Sequence, residues 1–329
     1  MGTKISVGKE RFLYFLNQIQ NILEKAEASE STALTAYMED MRTPLFMLEA
    51  LSRLYKKIHN HHKFSKLDDL FKEMEDSLGR IDFYYAFHKE FTNQKRIPDA
   101  ITGYLEKQTN KKVKEFNRQL KEKKWIGKHQ KGIRKIIKKL EEIDWLNEKE
   151  DAAEILDVYC DAICKVNKKY ENPNLEFNDI ETDVHELRRE LRWLSIYPQA
   201  LRGLMQLKVD NDPPDFLKKY LTPAIINSPY NIMPDGNGLE EHILLNNNYF
   251  YALSWMIAEL GKLKDSGLKI IVLEESFYSV YKTSVDTEPL AYSLCDENQM
   301  TLSEILTQSQ NITQKFFGEK ILENIISHE

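Results

Sequence analysis

The segment Val184-His185-Glu186-Leu187-Arg188-Arg189-Glu190-Leu191-Arg192-Trp193-Leu194 gathers the side chains best suited to chemistry in this chain. On a helix, His185, Arg188, Arg189 and Arg192 stand at i, i+3, i+4 and i+7 and share one face. Val184, Leu187, Leu191 and Leu194 form the adjoining apolar stripe. Three fixed cations and an imidazole over two turns repel one another unless anions sit among them. The planar guanidinium fork matches phosphate oxygens, and a hydrogen bond to a charged group contributes roughly 1.5–3 kcal/mol. The expected chemistry is therefore anion binding. The alternative is an ordinary solvated helix face on which Glu186 and Glu190 neutralise the arginines.

Other candidates are weaker. His59, His61 and His62 cluster at a helix end, where cationic side chains complement the helix dipole. No cysteine or well-spaced carboxylate completes a metal site around them. Cys160 and Cys164 lie four apart on one helical face and read as buried structural cysteines. The phosphate-binding, dinucleotide-binding, nucleophile-elbow and zinc-protease signatures are absent; His185-Glu186 is followed by Leu187-Arg188-Arg189, so a second zinc histidine is missing. We therefore expect no catalytic residues, no metal and no cofactor.

The elements that must position the arginine face are helices. Apolar residues recur at helical spacing along Phe12–Leu23, Leu45–Ile58 and Lys66–Phe91, and glycine and proline are scarce. The pattern predicts about six helices ending near Tyr170, with a break at Pro173. Asn178, three residues before Glu181, predicts the start of a long helix running to about Lys208. Residues 209–238, rich in proline and glycine, predict an irregular insertion with a short helix over Phe216–Leu221. Helices then resume near Leu239 and end with Leu302–Ile326.

Of the 329 residues, 42% are hydrophobic and 30% charged, a globular balance. No apolar run approaches the roughly 20 residues that span a bilayer. Three cysteines make no disulfide framework, which points to a reducing, cytoplasmic setting. The net charge of −6 is unevenly spread. Between Leu105 and Lys139, fourteen Lys/Arg face three Glu. From Val209 onward there is no arginine, and eight Lys face eighteen Asp/Glu. One basic and one acidic surface are expected, the acidic C-terminal third suiting a basic protein partner.

The halves also echo each other. Leu78-Gly79-Arg80-Ile81-Asp82 resembles Leu260-Gly261-Lys262-Leu263-Lys264-Asp265, and each follows a helix with an acid, a hydrophobe and an arginine: Asp40-Met41-Arg42 and Glu186-Leu187-Arg188. A glycine inside a helix costs about 1 kcal/mol against alanine, so close packing is expected at both. His185-Glu186-Leu187-Arg188 with Arg192 one turn later resembles the signature helix of the conserved histidine α-helical domain (CHAD) family. That resemblance implies an all-α fold of two pseudo-symmetric antiparallel helical bundles, here 1–172 and 173–329. It implies a non-enzymatic module binding inorganic polyphosphate or another polyanion, blind to nucleic-acid sequence, with phosphate ligands His185, Arg188, Arg189, Arg192, Arg202 and Arg42. The chain departs from the family pattern at Glu39, Phe46 and Ser195 and in its acidic balance. The lysine-rich run over 105–139 is the candidate replacement for the first-half site. A helical scaffold without ligand, or an accessory to a phosphohydrolase, is the alternative.

Overall fold

A computed structural model of the chain describes residues 6–172, 174–282, 287–295 and 299–326. Among these residues the fold is all-α: twelve α-helices and one pair of short strands. No described helix is long and apolar enough to cross a membrane. The chain forms two compact units. The first comprises Met1–Leu146 and Lys269–Glu297, the second Asn147–Leu268 and Asn298–Glu329.

In the first unit, α1 (Val7–Glu27) buries Phe12, Phe15, Leu16, Ile19 and Leu23 on one stripe. The helix expected along Leu45–Ile58 is α3 (Arg42–Ile58), preceded by a separate α2 (Thr32–Met38), the two broken where Asp40 takes a φ of 56°. Asn60 then caps α4 (His61–Thr92), accepting from the Lys63 amide at 3.0 Å. The seam between α3 and α4 carries charges seven residues apart on each helix, so they meet as antiparallel partners. Arg42 meets Glu75 and Asp82, and Lys56 meets Asp68 at 2.5 Å. Between them Glu49 is 2% exposed and bound by Arg53 at 2.8 Å. Burial pushes the Glu49 carboxyl up to about 7, and Arg53 offsets this only in part.

The unit continues with α5 (Asp99–Glu122) and α6 (Lys131–Glu141). It is completed by the last part of α10 (Asn247–Tyr281) and by α11 (Glu288–Leu294). Polar side chains fix α10 there: Tyr84 and Tyr104 both donate to Glu275, at 2.9 and 2.8 Å, and Lys269 pairs with Glu90 at 2.8 Å. His59 belongs to an aromatic cluster, its ring centroid 5.7 Å from Tyr55 and 5.2 Å from Trp145. Its role is packing.

The second unit opens with α7 (Glu148–Tyr170), started by a reciprocal Asn147–Glu150 cap. The sequence reading gives α7 to the first bundle and divides the chain at Pro173, which lies outside the described residues. The division falls at Leu146/Asn147 instead, and 269–297 belongs with the first unit. The reason is where α7 buries its tyrosines: the Tyr159 hydroxyl donates to the Leu194 carbonyl at 3.0 Å, and Tyr170 packs on Phe317 at 5.7 Å. Neither thiol on α7 is in the core, against expectation: Cys160 is half-buried and Cys164 exposed, because the apolar face of the helix is set by Ile155, Tyr159, Ile163 and Val166.

The signature segment begins as one π-helical turn, Ile180–His185, and continues directly as α8 (Glu186–Ala200). Asp179, not Asn178, is its cap, accepting from Glu181 and Thr182 amides at 2.9 and 2.8 Å. Pro198 sits inside α8 and has no N–H for the carbonyl of Leu194, four residues earlier; the Tyr159 hydroxyl satisfies it. The helix stops at Ala200 rather than Lys208. Arg202 and Gly203 turn the chain with φ of 50° and 97°, and any side chain at Gly203 would strike the Asp235 carbonyl. Met205–Lys208 forms β1, paired in parallel with β2 (Ile243–Asn246).

The stretch from 209 to 238 holds only short turns and α9 (Pro223–Ile226); the expected helix over Phe216–Leu221 is a single 3-10 turn, Asp215–Leu217. It is pinned by the Tyr220 hydroxyl, which donates to Glu319 at 2.6 Å. The unit closes with α12 (Leu302–Gly318), capped reciprocally by Thr301 and Glu304.

Candidate functional site

Along the π turn and α8 the apolar stripe is buried as expected, with Val184, Leu187 and Leu191 at 0% exposure. That fixes the opposite edge, and Arg188 is the side chain it positions most closely. The Arg188 Nε donates to the Ile257 carbonyl of α10 at 3.2 Å. Its guanidinium lies over Gly261, where a methyl group would come within 3.0 Å of Nε and 3.3 Å of a terminal nitrogen. The glycine makes room for an arginine.

One turn earlier, His185 Nδ1 lies 2.8 Å from Glu181 Oε2. The hydrogen bond from His185 holds the Glu181 carboxyl below the usual carboxylate range, and the charge of Lys264 adds to the effect. Lys264 reaches this neighbourhood from α10, three residues past Gly261, and also pairs with Asp265 at 2.7 Å. Its side chain is only 16% exposed. Arg189 pairs with Glu186 at 2.6 Å, and Glu190 pairs with Lys169 at 2.7 Å. Arg192 is half-buried on the same helix, and Arg202 half-buried in the turn beyond it; both are engaged by neighbours. His185 and Arg188 thus face α10 with Lys264, whereas Arg189 is turned to its own helix.

The first unit holds a counterpart. Arg42 lies over Gly79, where a methyl group would come within 2.9 Å of a terminal nitrogen. Here the guanidinium is closed by carboxylates: Glu75 at 2.6 Å and Asp82 at 2.8 Å. Tyr37 donates to the other Asp82 oxygen at 2.8 Å, and Phe46 sits under the Arg42 guanidinium at 5.3 Å. Glu39 is drawn off to Lys25 at 3.0 Å. Glu75 and Asp82 stand four before and three after Gly79. The same offsets from Gly261 are Ile257 and Lys264, an apolar residue and a cation. At the first seat these offsets hold two carboxylates on Arg42, and at the second they hold an apolar residue and a lysine.

Comparisons with protein-family models, with curated proteins and with solved structures return no match for this chain. The site is therefore read from its own geometry.

Sequence reasoning singled out His185 and Arg188 and, separately, the two glycines as close helix crossings, but it did not seat an arginine on either glycine and gave Lys264, Glu75 and Asp82 no role in a site. Their signal was present as spacing from the glycine, legible only once the arginine was known to sit there. The lysine-rich run lies on other elements, α5 and α6. On α5, Lys107, Lys111, Lys114 and Arg118 are exposed along an open groove of about 750 Å³; on α6 a second basic face is exposed.

Proposed function

We propose that the second unit is a non-enzymatic binding module for a phosphate polymer, inorganic polyphosphate being the simplest, engaged by His185, Arg188 and Arg192 with Lys264. The observation that carries this reading is the arginine seat. Arg188 rests on Gly261 and a backbone carbonyl, with Lys264 where the first unit has Asp82. A guanidinium held in place by a glycine gap and a backbone carbonyl suits the forked geometry of phosphate oxygens. The paired seats at Gly79 and Gly261 also favour two related bundles, in keeping with the resemblance to the conserved histidine α-helical domain. Arg42, held by two carboxylates, is left out of the ligand set, and Arg189 contributes only if it leaves Glu186.

The pairing of His185 with Glu181 and of Arg189 with Glu186 favours a second reading, a scaffold that keeps the fold without the ligand and offers its acidic C-terminal third to a basic protein. The test is a polyphosphate titration of the full chain at two salt concentrations, with Arg188→Ala/Arg192→Ala beside the wild type. Each neutralised phosphate lowers log K by about 0.7–0.9 per unit of log salt for nucleic acids, and the three fixed cations Arg188, Arg192 and Lys264 on a similarly dense chain predict roughly a hundred- to five-hundred-fold loss per tenfold rise in salt. The double variant should bind more weakly and still fold, its melting temperature lowered by about a few degrees for the lost Arg188–Ile257 hydrogen bond. If the wild type fails to bind at low salt, the scaffold reading replaces this one.

A further inference from the structure

The stretch from Lys123 to Lys139 contains eight Lys/Arg and no Asp or Glu, and the seat described above uses none of it. It is a rigidly held element. Lys124, Gly127, His129 and Gln130 all take positive φ. The turn they make is fastened at four points: the Gly132 amide donates to Lys124 O at 2.8 Å, the Gly127 amide to Glu27 at 2.7 Å, Gln130 to Gln20 O at 3.2 Å, and Trp125 is buried. The turn delivers α6 with Ile133, Ile136 and Leu140 buried against the first unit. Lys131, Arg134, Lys135, Lys138 and Lys139 are all exposed on the opposite side, and among the described residues none of them has an ion-pair partner. Holding five like charges on one face without carboxylates is unfavourable for folding alone, by the repulsion of same-sign neighbours at helical spacing.

We propose that α6 is a docking helix for duplex nucleic acid, gripping the phosphates on both walls of a groove without reading sequence. Three observations select this partner. The cations spread from Arg134 on one flank of the helix to Lys139 on the other. An α-helix is about 10–12 Å across, and a B-DNA major groove, about 12 Å wide, carries phosphates along both edges. No large hydrophobic side chain between Lys123 and Glu141 is exposed, so the element has no anchor to insert into a bilayer and no Phe, Tyr or Trp on which unpaired bases could stack. Four of the five cations are lysines, flexible point charges suited to phosphate oxygens rather than to base edges.

The experiment titrates the full chain with a labelled random-sequence DNA duplex at about 50 and 200 mM salt. If all five cations meet phosphates, the wild type should lose about five-hundred-fold in affinity across that range, and Arg134→Gln/Lys135→Gln/Lys138→Gln only about twelve-fold, with weaker binding at the lower salt. Arg134→Lys/Lys135→Arg/Lys138→Arg should keep wild-type binding, since charge rather than side-chain identity is what meets the phosphates. Lysine acetylation of the unmodified chain gives an independent reading: bound duplex should protect Lys131, Lys135 and Lys138. The proposal is overturned if the wild type does not bind duplex at the lower salt, if the glutamine variant binds as tightly as the wild type, or if duplex leaves these lysines open to acetylation. Preferential binding of single strands or of phosphatidylserine vesicles through α6 overturns it in favour of those partners.

Discussion

The Arg188 guanidinium lies over Gly261, one helix lending its charge to the gap that the other leaves by omitting a side chain. The same relationship joins Arg42 to Gly79. What differs is the company. Arg42 is locked between Glu75 and Asp82, and Arg188 shares its setting with Lys264.

Gly261→Ala should therefore disturb the ligand site more than the fold. Alanine adds about 1 kcal/mol of helix stability, and displacing Arg188 from the Ile257 carbonyl costs about the same. The expected outcome is a melting temperature within a few degrees of wild type and polyphosphate binding weakened roughly tenfold, about the value of one hydrogen bond to a charged group. Binding at full strength in this variant would show that Gly261 does not position the ligand-bearing arginine.

Arg42→Ala should do the reverse. It leaves Glu75, whose side chain is 8% exposed, without its cation. Discounted for the partial exposure of Arg42, the loss is about 2 kcal/mol, read by urea denaturation, with polyphosphate affinity unchanged. A stable variant that loses binding would move the ligand to the first unit.

Glu49 predicts a pH dependence. Its carboxyl titrates at about 7 in the folded chain against an ordinary 4.5, because burial disfavours the charge. A carboxyl raised in this way contributes stability that is complete below about pH 4.5 and is lost as pH rises through 7. About 2.5 units correspond to roughly 3 kcal/mol. The stability of the wild type relative to Glu49→Gln should fall by about that amount between pH 4.5 and pH 8. A difference that stays flat over this range would mean that Glu49 ionises normally.

Gly203→Ala tests the end of α8. The position needs a φ of 97°, and a side chain there meets the backbone of Asp235 and Gly236. Destabilisation of about 2 kcal/mol or more is expected in denaturant unfolding, since strain and a backbone clash add. A neutral result would show that the turn into β1 can move aside.

By itself the sequence determined the all-α class, the buried stripe of Val184, Leu187 and Leu191, and the repeat of an arginine helix followed by an interior glycine. Helical periodicity and the cost of an interior glycine are local facts, and they survive translation into structure. Tertiary structure decided the rest. The end of α8 depends on Asp235, which fills the space beside Gly203; nothing within a few residues of Lys208 forbids helix. The unit that receives α7 depends on Tyr159 meeting the carbonyl orphaned by Pro198, 39 residues on. Above all, the company each arginine keeps depends on what stands one turn either side of the glycine it covers: Glu75 and Asp82 at Gly79, Ile257 and Lys264 at Gly261. Charge becomes function only when side chains remote in sequence come within a few ångströms, because Coulomb attraction between exposed groups fades beyond a Debye length.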